Sequence, residues 1–367
     1  MRHNILGLVS CNYTNDAFGN LTAARPVASI PFGGRYRLLD FTLSNMVNAG
    51  MRTIGIITPY YYRSILDHLG AGKEWSLNRK SGGMFILPGS IYGLKNAQGM
   101  FLLRDIIGNR SYLDRSTADF VLLSGSSKIY NMDLRPFFEA HQASGGGVSL
   151  LYKHIGDATG RKGLFLDVEG DSVTGIRQEA VGQADCFMDC LLIDRRLLLN
   201  FIDWYQTIGY IDIMDIIAEN LDSLRVGAYA FGGYLGQIDS IGDYMNCSLD
   251  LLREDVRREL FYGSGKVYTK VQDTAPAKYA AGARVVNSLV PTGCIIEGTV
   301  ENSILFRGVK IGKGAVVKNS IIMQKCEIGP DVVLENVICD KLVKISSSHK
   351  LFGRPAKPLV LAKQSEI

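Results

Sequence analysis

Residues 309–322 align without a gap on residues 326–339, at an offset of seventeen. The same offset taken backwards sets Val300, Asn302, Ser303 and Ile304 on Val317, Asn319, Ser320 and Ile321, and Asn287-Ser288-Leu289 precedes them by a slightly shorter step. Within each unit, small or aliphatic residues return about every six positions, as at Val309, Ala315 and Ile321. Successive side chains of a strand point to opposite faces, so three short strands per coil can stack these positions into one buried inner column. The pattern predicts a left-handed parallel β-helix of the hexapeptide type over residues 282–367. The competing arrangement, a β-sandwich, would leave the repeated Asn-Ser pairs as coincidental turns.

The first 245 residues follow a different rule. Ile5-Leu6-Gly7-Leu8-Val9 is a nearly continuous apolar run, as expected of a strand buried on both faces of a parallel sheet. Further strand patterns fall at 52–58, 120–123, 148–152, 164–168, 187–193 and 226–231. Helical patterns alternate with them at 38–47, 62–69, 100–107, 134–142 behind a cap at Asp133, 195–207 and 212–221. This alternation predicts an α/β domain with a mostly parallel, three-layered sheet over residues 1–245. Residues 70–93 are too many for an ordinary connection and predict a loop with a hairpin at the sheet's edge. One long helix, 241–260, with Arg253, Arg257 and Arg258 toward its carboxyl end, and a linker to residue 281 lead into the coils.

Charge and cysteine content exclude several classes. Forty basic and 36 acidic residues, spread along the chain, give +4 and no support for a nucleic-acid face. There is no run of 18 apolar residues and no apolar leader with a cleavage site, so a cytoplasmic chain with no membrane partner is expected. Seven cysteines are an odd number, and Cys186 and Cys190, four apart, lack a second pair to complete a zinc set; free buried thiols are expected. His3, His68, His141 and His154 show no triad or ligand spacing. Hexapeptide coils also host acyl transfer with a His base, but residues 285–343 contain no His, and His349 follows them.

Ligands of open α/β sheets bind beyond the carboxyl ends of the strands, and a phosphate there needs glycines for close backbone approach and basic side chains for charge. Between Val9 and Thr22 there is one glycine, Gly19, and no Lys or Arg occurs between Arg2 and Arg25. Tyr60, Tyr61 and Tyr62, after the second strand, are aromatic enough to line a sugar or base pocket or to stack on the loop that follows.

The string Arg25-Pro26, then Pro31-Phe32-Gly33-Gly34-Arg35-Tyr36-Arg37-Leu38-Leu39-Asp40-Phe41, Leu43-Ser44-Asn45 and Asn48-Ala49-Gly50, with Pro276-Ala277-Lys278 ahead of the coils, resembles the bacterial glucose-1-phosphate adenylyltransferase (ADP-glucose pyrophosphorylase) family. Within it, the likeness is to the divergent GlgD-type subunit found beside a catalytic paralogue. The resemblance implies a nucleotidyltransferase-like sheet domain ahead of the β-helix. It also implies a reaction in which a sugar phosphate attacks the α-phosphorus of ATP while Mg²⁺ and basic groups neutralise the triphosphate.

This chain departs from the implied machinery at four places. The family's Gly-Gly-x-Gly-x-Arg stands as Ser10-Cys11-Asn12-Tyr13-Thr14-Asn15-Asp16; its Gly-Asp as Gly125-Ser126, with one residue inserted before Ile129-Tyr130. The Asp of its Trp-Arg-Asp-Val-Gly-Thr aligns with Gln237, and its Glu-Lys-Pro with Arg177-Gln178-Glu179. Ser126, Gln237 and Gln178 are therefore degenerate positions, with no catalytic residue, metal site or cofactor expected; Mg²⁺ would be required only of an active chain. Asp239 lies roughly 6–7 Å along a strand from the implied ligand, too far for Mg²⁺ bound at about 2.0–2.1 Å, and Asp133 reads as a helix cap. The alternative is an active adenylyltransferase with a site rebuilt around Asp239.

For partners, the resemblance implies a tetramer, homo- or hetero-oligomeric, in which this chain modulates a catalytic paralogue and answers a phosphorylated sugar effector. Arg25, Arg35, Arg37 and, more remotely, Arg354 with Lys357 are the candidate phosphate ligands, since a guanidinium forks onto phosphate oxygens; interface or solvated arginines are the competing account. Ala23-Ala24 stand where the family has a basic activator-binding residue.

Overall fold

The computed structural model describes residues 4–12, 16–59, 61–89, 100–207 and 211–367. A nine-stranded sheet runs, edge to edge, through Gly83–Pro88, Thr53–Thr58, Ile5–Ser10, Phe120–Ser124, Ala184–Asp194, Val148–Ile155, Val226–Ala230, Ser172–Arg177 and Phe165–Glu169. Only Ala184–Asp194 and Ser172–Arg177 oppose the common direction, so seven of nine strands are co-directional. The Ile5–Ser10 strand is buried along its whole length, with one apolar cluster on each face of the sheet.

Three local expectations differ. Residues 83–88 form no hairpin; Gly83–Pro88 pairs in parallel with Thr53–Thr58 as the edge strand, while residues 90–93 lie outside the described residues. The helix expected over 100–107 starts later, as Leu103–Gly108, because Phe101 and Leu102 are held extended against Asp212 and its neighbours. The single helix over 241–260 is two helices, Ile241–Asp250 and Glu254–Tyr262. Glu254 and Asp255 favour a helix amino terminus at that point, and extended Arg253 starts the second helix instead of ending the first.

The last third winds into three parallel sheets, of five, five and four strands, one on each side of a triangular coil. Strand partners repeat the seventeen-residue offset: Val300 opposes Val317, which opposes Leu334, and Ile304 opposes Ile321, which opposes Ile338. The Asn-Ser repeat has a structural cause. Asn287, Asn302, Asn319 and Asn336 each take a positive φ, between 41° and 55°, at one corner of the coil, a conformation Asn tolerates better than most residues. The adjacent serines form a buried ladder. Ser320 donates its hydroxyl to the Lys318 carbonyl at 2.6 Å and accepts the Val337 N–H of the next coil at 3.1 Å; Ser303 does the same for Glu301 and Ser320. Ser320→Ala is expected to leave the Val337 N–H unpaired and cost about 1–3 kcal/mol, read as a lower denaturant midpoint.

The third side of the coil is apolar on both faces. Leu305, Ile322 and Cys339 point into the coil, whereas Ile304, Ile321 and Ile338 join a cluster with Phe18, Phe32, Phe41 and Tyr244. Pro31–Phe32 and Tyr36–Arg37 pair around Gly33-Gly34, whose φ values of 56° and 79° suit a tight hairpin turn. A side chain at Gly34 would come within 3.0 Å of the Leu305 carbonyl. The best-matched string of the sequence is thus the hairpin that seats the coils on the sheet.

Candidate functional site

The strands Ile5–Ser10 and Phe120–Ser124 end side by side, with Val9 opposite Ser124. Beyond them the groups are neutral and turned inward. Ser126 is fully buried and donates its hydroxyl to the Ser10 carbonyl at 3.4 Å, with Cys11 Sγ at 3.9 Å. Burial pushes the Cys11 thiol up to about 12, so it stays protonated. The Asn12 amide donates to the Asp105 carboxylate at 2.7 Å. Residues 13–15 of this loop and Tyr60 lie outside the described residues; Tyr61 and Tyr62 are exposed.

A second group of positions meets where Lys128–Ile129 pairs antiparallel with Gly236–Gln237, Lys128 opposite Gln237. The Gln237 amide nitrogen donates to the Lys162 carbonyl and to the Asp239 carboxylate, and its oxygen accepts from the Cys186 thiol at 3.6 Å. Lys128 is 3% exposed and its Nζ lies 3.8 Å from Asp189 Oδ2. Burial works against its charge, but Asp189, Asp239 and Asp243 outweigh it and hold the ammonium protonated above the ordinary lysine range. A cavity of about 470 Å³ opens beside this pair, lined by Arg161, Lys162, Tyr234, Gln237, Asp239 and Asp243.

Mg²⁺ is held by carboxylate and other oxygen donors in near-octahedral array. Here the two implied ligand positions present a buried serine already bonded to a carbonyl and an amide whose N–H group points at Asp239, with the Lys128 ammonium opposite. Among the described residues no three His, Cys, Asp or Glu side chains converge as a metal set. The residues at these strand ends do not fit a divalent ion. Asp133 is engaged elsewhere, accepting the Arg135 N–H at 3.0 Å and pairing with the same guanidinium. Gln178 is exposed beyond the Ser172–Arg177 strand, where Arg177 pairs with Asp167, and does not line the cavity.

Basic groups converge at the junction with the coils. Arg25 is 5% exposed and pairs through Nη2 with Asp340, 1% exposed, at 2.6 Å; its Nη1 is buried without a hydrogen-bond partner among the described residues. Arg37 donates to the Ser29 hydroxyl and the Ser64 carbonyl, and burial lowers its guanidinium to about 10. Lys341 lies close to both. Burial first, then Arg37 and Arg25, lower its ammonium to about 7, with Asp340 opposing and Lys363 adding to the repulsion. Arg35 is exposed and lies over Tyr36 and beside Arg307, apart from this group. Arg354 is exposed in a turn closed by Arg354–Lys357 backbone bonds and does not act on Lys341.

Arg25, Arg37, Lys341 and Lys363 thus bring four cationic side chains together, one with an orphaned N–H and one half-discharged near neutrality, the charge pattern that attracts an anion. The folded pKa of Lys341, about 7, lies below its ordinary 10.5, so its neutral form favours folding as pH rises through that window, and an anion reverses the preference by drawing a proton back. Pyrophosphate is accordingly expected to bind more tightly at about pH 6 than at about pH 8.5, with proton uptake on binding near neutrality, measured by calorimetric titration in buffers of different ionisation enthalpy.

Family descriptions match two stretches: "Nucleotidyl transferase" over residues 18–160, starting just past the neutral loop, and "GlmU-like, C-terminal hexapeptide" over residues 274–353. The glycogen biosynthesis protein GlgD of Bacillus subtilis is 37% identical over 98% of this chain and 96% of its own length. In Geobacillus stearothermophilus there are two relatives. One, also named glycogen biosynthesis protein GlgD, is 38% identical over 86% of this chain and 84% of its own length; the other, a glucose-1-phosphate adenylyltransferase, is 30% identical over the same shares. Among the described residues no helix is long and apolar enough to cross a membrane.

Proposed function

The chain belongs to the family of GlgD glycogen biosynthesis proteins and glucose-1-phosphate adenylyltransferases, and on that footing we propose that it is a non-catalytic, cytoplasmic subunit of ADP-glucose synthesis that assembles with a catalytic paralogue and alters its activity. The observation that carries this is Ser126. At the strand end where nucleotidyl transfer needs a carboxylate on a metal, a buried hydroxyl is spent on the Ser10 carbonyl. Its neighbours supply no compensating cation for a triphosphate among the described residues after the first strand, where Cys11 and Asn12 are neutral. The occurrence of both a GlgD and an adenylyltransferase relative in one organism supports a two-subunit arrangement.

Regulation has its own support. The Arg25, Arg37, Lys341 and Lys363 group sits between the sheet and the coils, so an anion bound there touches both parts and biases how they meet. A phosphorylated sugar carries the required charge. The test is an assay of ADP-glucose formation with Mg²⁺ by this chain alone, by a catalytic paralogue alone and by the mixture. A silent chain that changes the paralogue's kinetics bears the proposal out; Mg²⁺-dependent turnover by the chain alone contradicts it.

A further inference from the structure

We propose that the Lys128 ammonium is a built-in cation, tethered by its own side chain, that fills the carboxylate-flanked position at Gln237 and bars a divalent metal from it. Four observations meet there. Lys128 stands directly opposite Gln237 across a two-stranded ladder, so the two side chains share one face. Its Nζ is 3.8 Å from Asp189 Oδ2, and both side chains are largely withdrawn from solvent, at 4% and 16% exposure. Asp189 is presented by an irregularity in the Ala184–Asp194 strand, where it takes a φ of 50°, and its backbone carbonyl accepts the Gly125 N–H at 2.7 Å, which ties the acid to the turn that delivers the lysine. Finally, the Ser127 hydroxyl, next to Lys128 in the chain, donates to Asp189 Oδ2 at 3.5 Å, so the same turn holds the acid through two side chains.

A single ammonium balances one carboxylate permanently, without exchange, and offers three N–H donors where a metal would need oxygen lone pairs. A divalent ion would have to approach a fixed positive charge only a few ångströms away in a poorly solvated site, which repels it. The position is held in one charge state whatever the metal content of the medium. The proposal deepens the non-catalytic reading, but its test is independent of partner modulation, so failure here would leave a regulatory role standing.

The experiment uses the full chain and Mn²⁺ as the probe. Binding is read from the loss of the free Mn²⁺ electron paramagnetic resonance signal, and stability from Tm in Mg²⁺, Mn²⁺ or EDTA. Wild type is expected to leave the Mn²⁺ signal undiminished and to melt at the same temperature in all three media. Lys128→Met should melt several degrees lower, because Asp189 is left largely withdrawn from solvent without its cation, with the Ser127 hydroxyl still bonded to it, and adding Asp189→Asn should recover most of that loss. If Lys128→Met does not fold, the Mn²⁺ titrations of wild type and Asp189→Asn still decide the question. Saturable Mn²⁺ binding by wild type that Asp189→Asn abolishes would overturn the proposal, as would Lys128→Met melting at the wild-type temperature.

Discussion

Asp340→Ala is expected to lower the unfolding free energy by roughly 3–5 kcal/mol, the loss typical of stranding a buried charge. Asp340 is the carboxylate that faces the junction's basic group: it pairs with Arg25 at 2.6 Å and accepts the Lys341 backbone N–H at 2.7 Å. Without it, Arg25 and Lys341 lose their nearest carboxylate, and the remaining acids near the group, Asp40 and Asp67, act on Arg37. The loss should register as a lower midpoint in denaturant unfolding, and inorganic phosphate should restore more stability to the variant than to wild type, since an external anion takes the vacated role. The double replacement Arg25→Met with Asp340→Leu removes both charges and is expected to lie much closer to wild type than either single change. An Asp340→Ala protein as stable as wild type and indifferent to phosphate would show that the junction is not charge-balanced in this way.

The second large effect is kinetic. The isolated chain is expected to form ADP-glucose at least about 10⁴-fold more slowly than a catalytic paralogue under matched Mg²⁺ and substrate, because losing one preorganised charge-stabilising group typically costs about 10²–10³ in rate and more than one is absent. The absent groups are those that act only as charge develops on the phosphates, so higher substrate concentration is not expected to recover the rate. A coupled assay of pyrophosphate release measures this directly. A rate within about tenfold of a paralogue, abolished by Asp239→Ala, would instead favour a rebuilt site.

Much of this architecture was legible in the chain because its signals are periodic or local. The seventeen-residue offset survives as strand register from Val300 to Val317 to Leu334, and the Asn-Ser pairs mark a left-handed corner and the hydroxyl ladder beside it. Ile5–Ser10 is as buried as its unbroken apolar run implies. The break between Ile241–Asp250 and Glu254–Tyr262 is hidden because arginines and acids interleave there: Arg253 reads as a helix end where Glu254-Asp255 favour a helix start. Gly83–Pro88 looked like hairpin material because its edge position leaves Phe85 and Ile86 exposed, which blurs the apolar signal of a sheet strand.

At the site, substitutions could be read one residue at a time, but associations could not. Arg25 and Arg37 were visible candidates, whereas Lys341 enters their group only through coiling that brings residues some three hundred positions apart into contact. Arg35 sits two residues from Arg37, but it lies in the turn before the Tyr36–Arg37 strand, exposed over Tyr36 and beside Arg307. Lys128 carried one signal, the added residue before Ile129-Tyr130, but its meaning depends on Asp189, which belongs to no motif and is placed by a local irregularity of its strand.

The most direct measurement is to titrate this chain into a purified catalytic glucose-1-phosphate adenylyltransferase while following ADP-glucose formation and the mass of the assembly. A regulatory subunit predicts one mixed tetramer, saturation at a fixed stoichiometry, and a shift in the partner's maximal rate or in its response to a phosphorylated effector. Separate elution of the two chains, with rate and effector response unchanged at every ratio, would contradict the account.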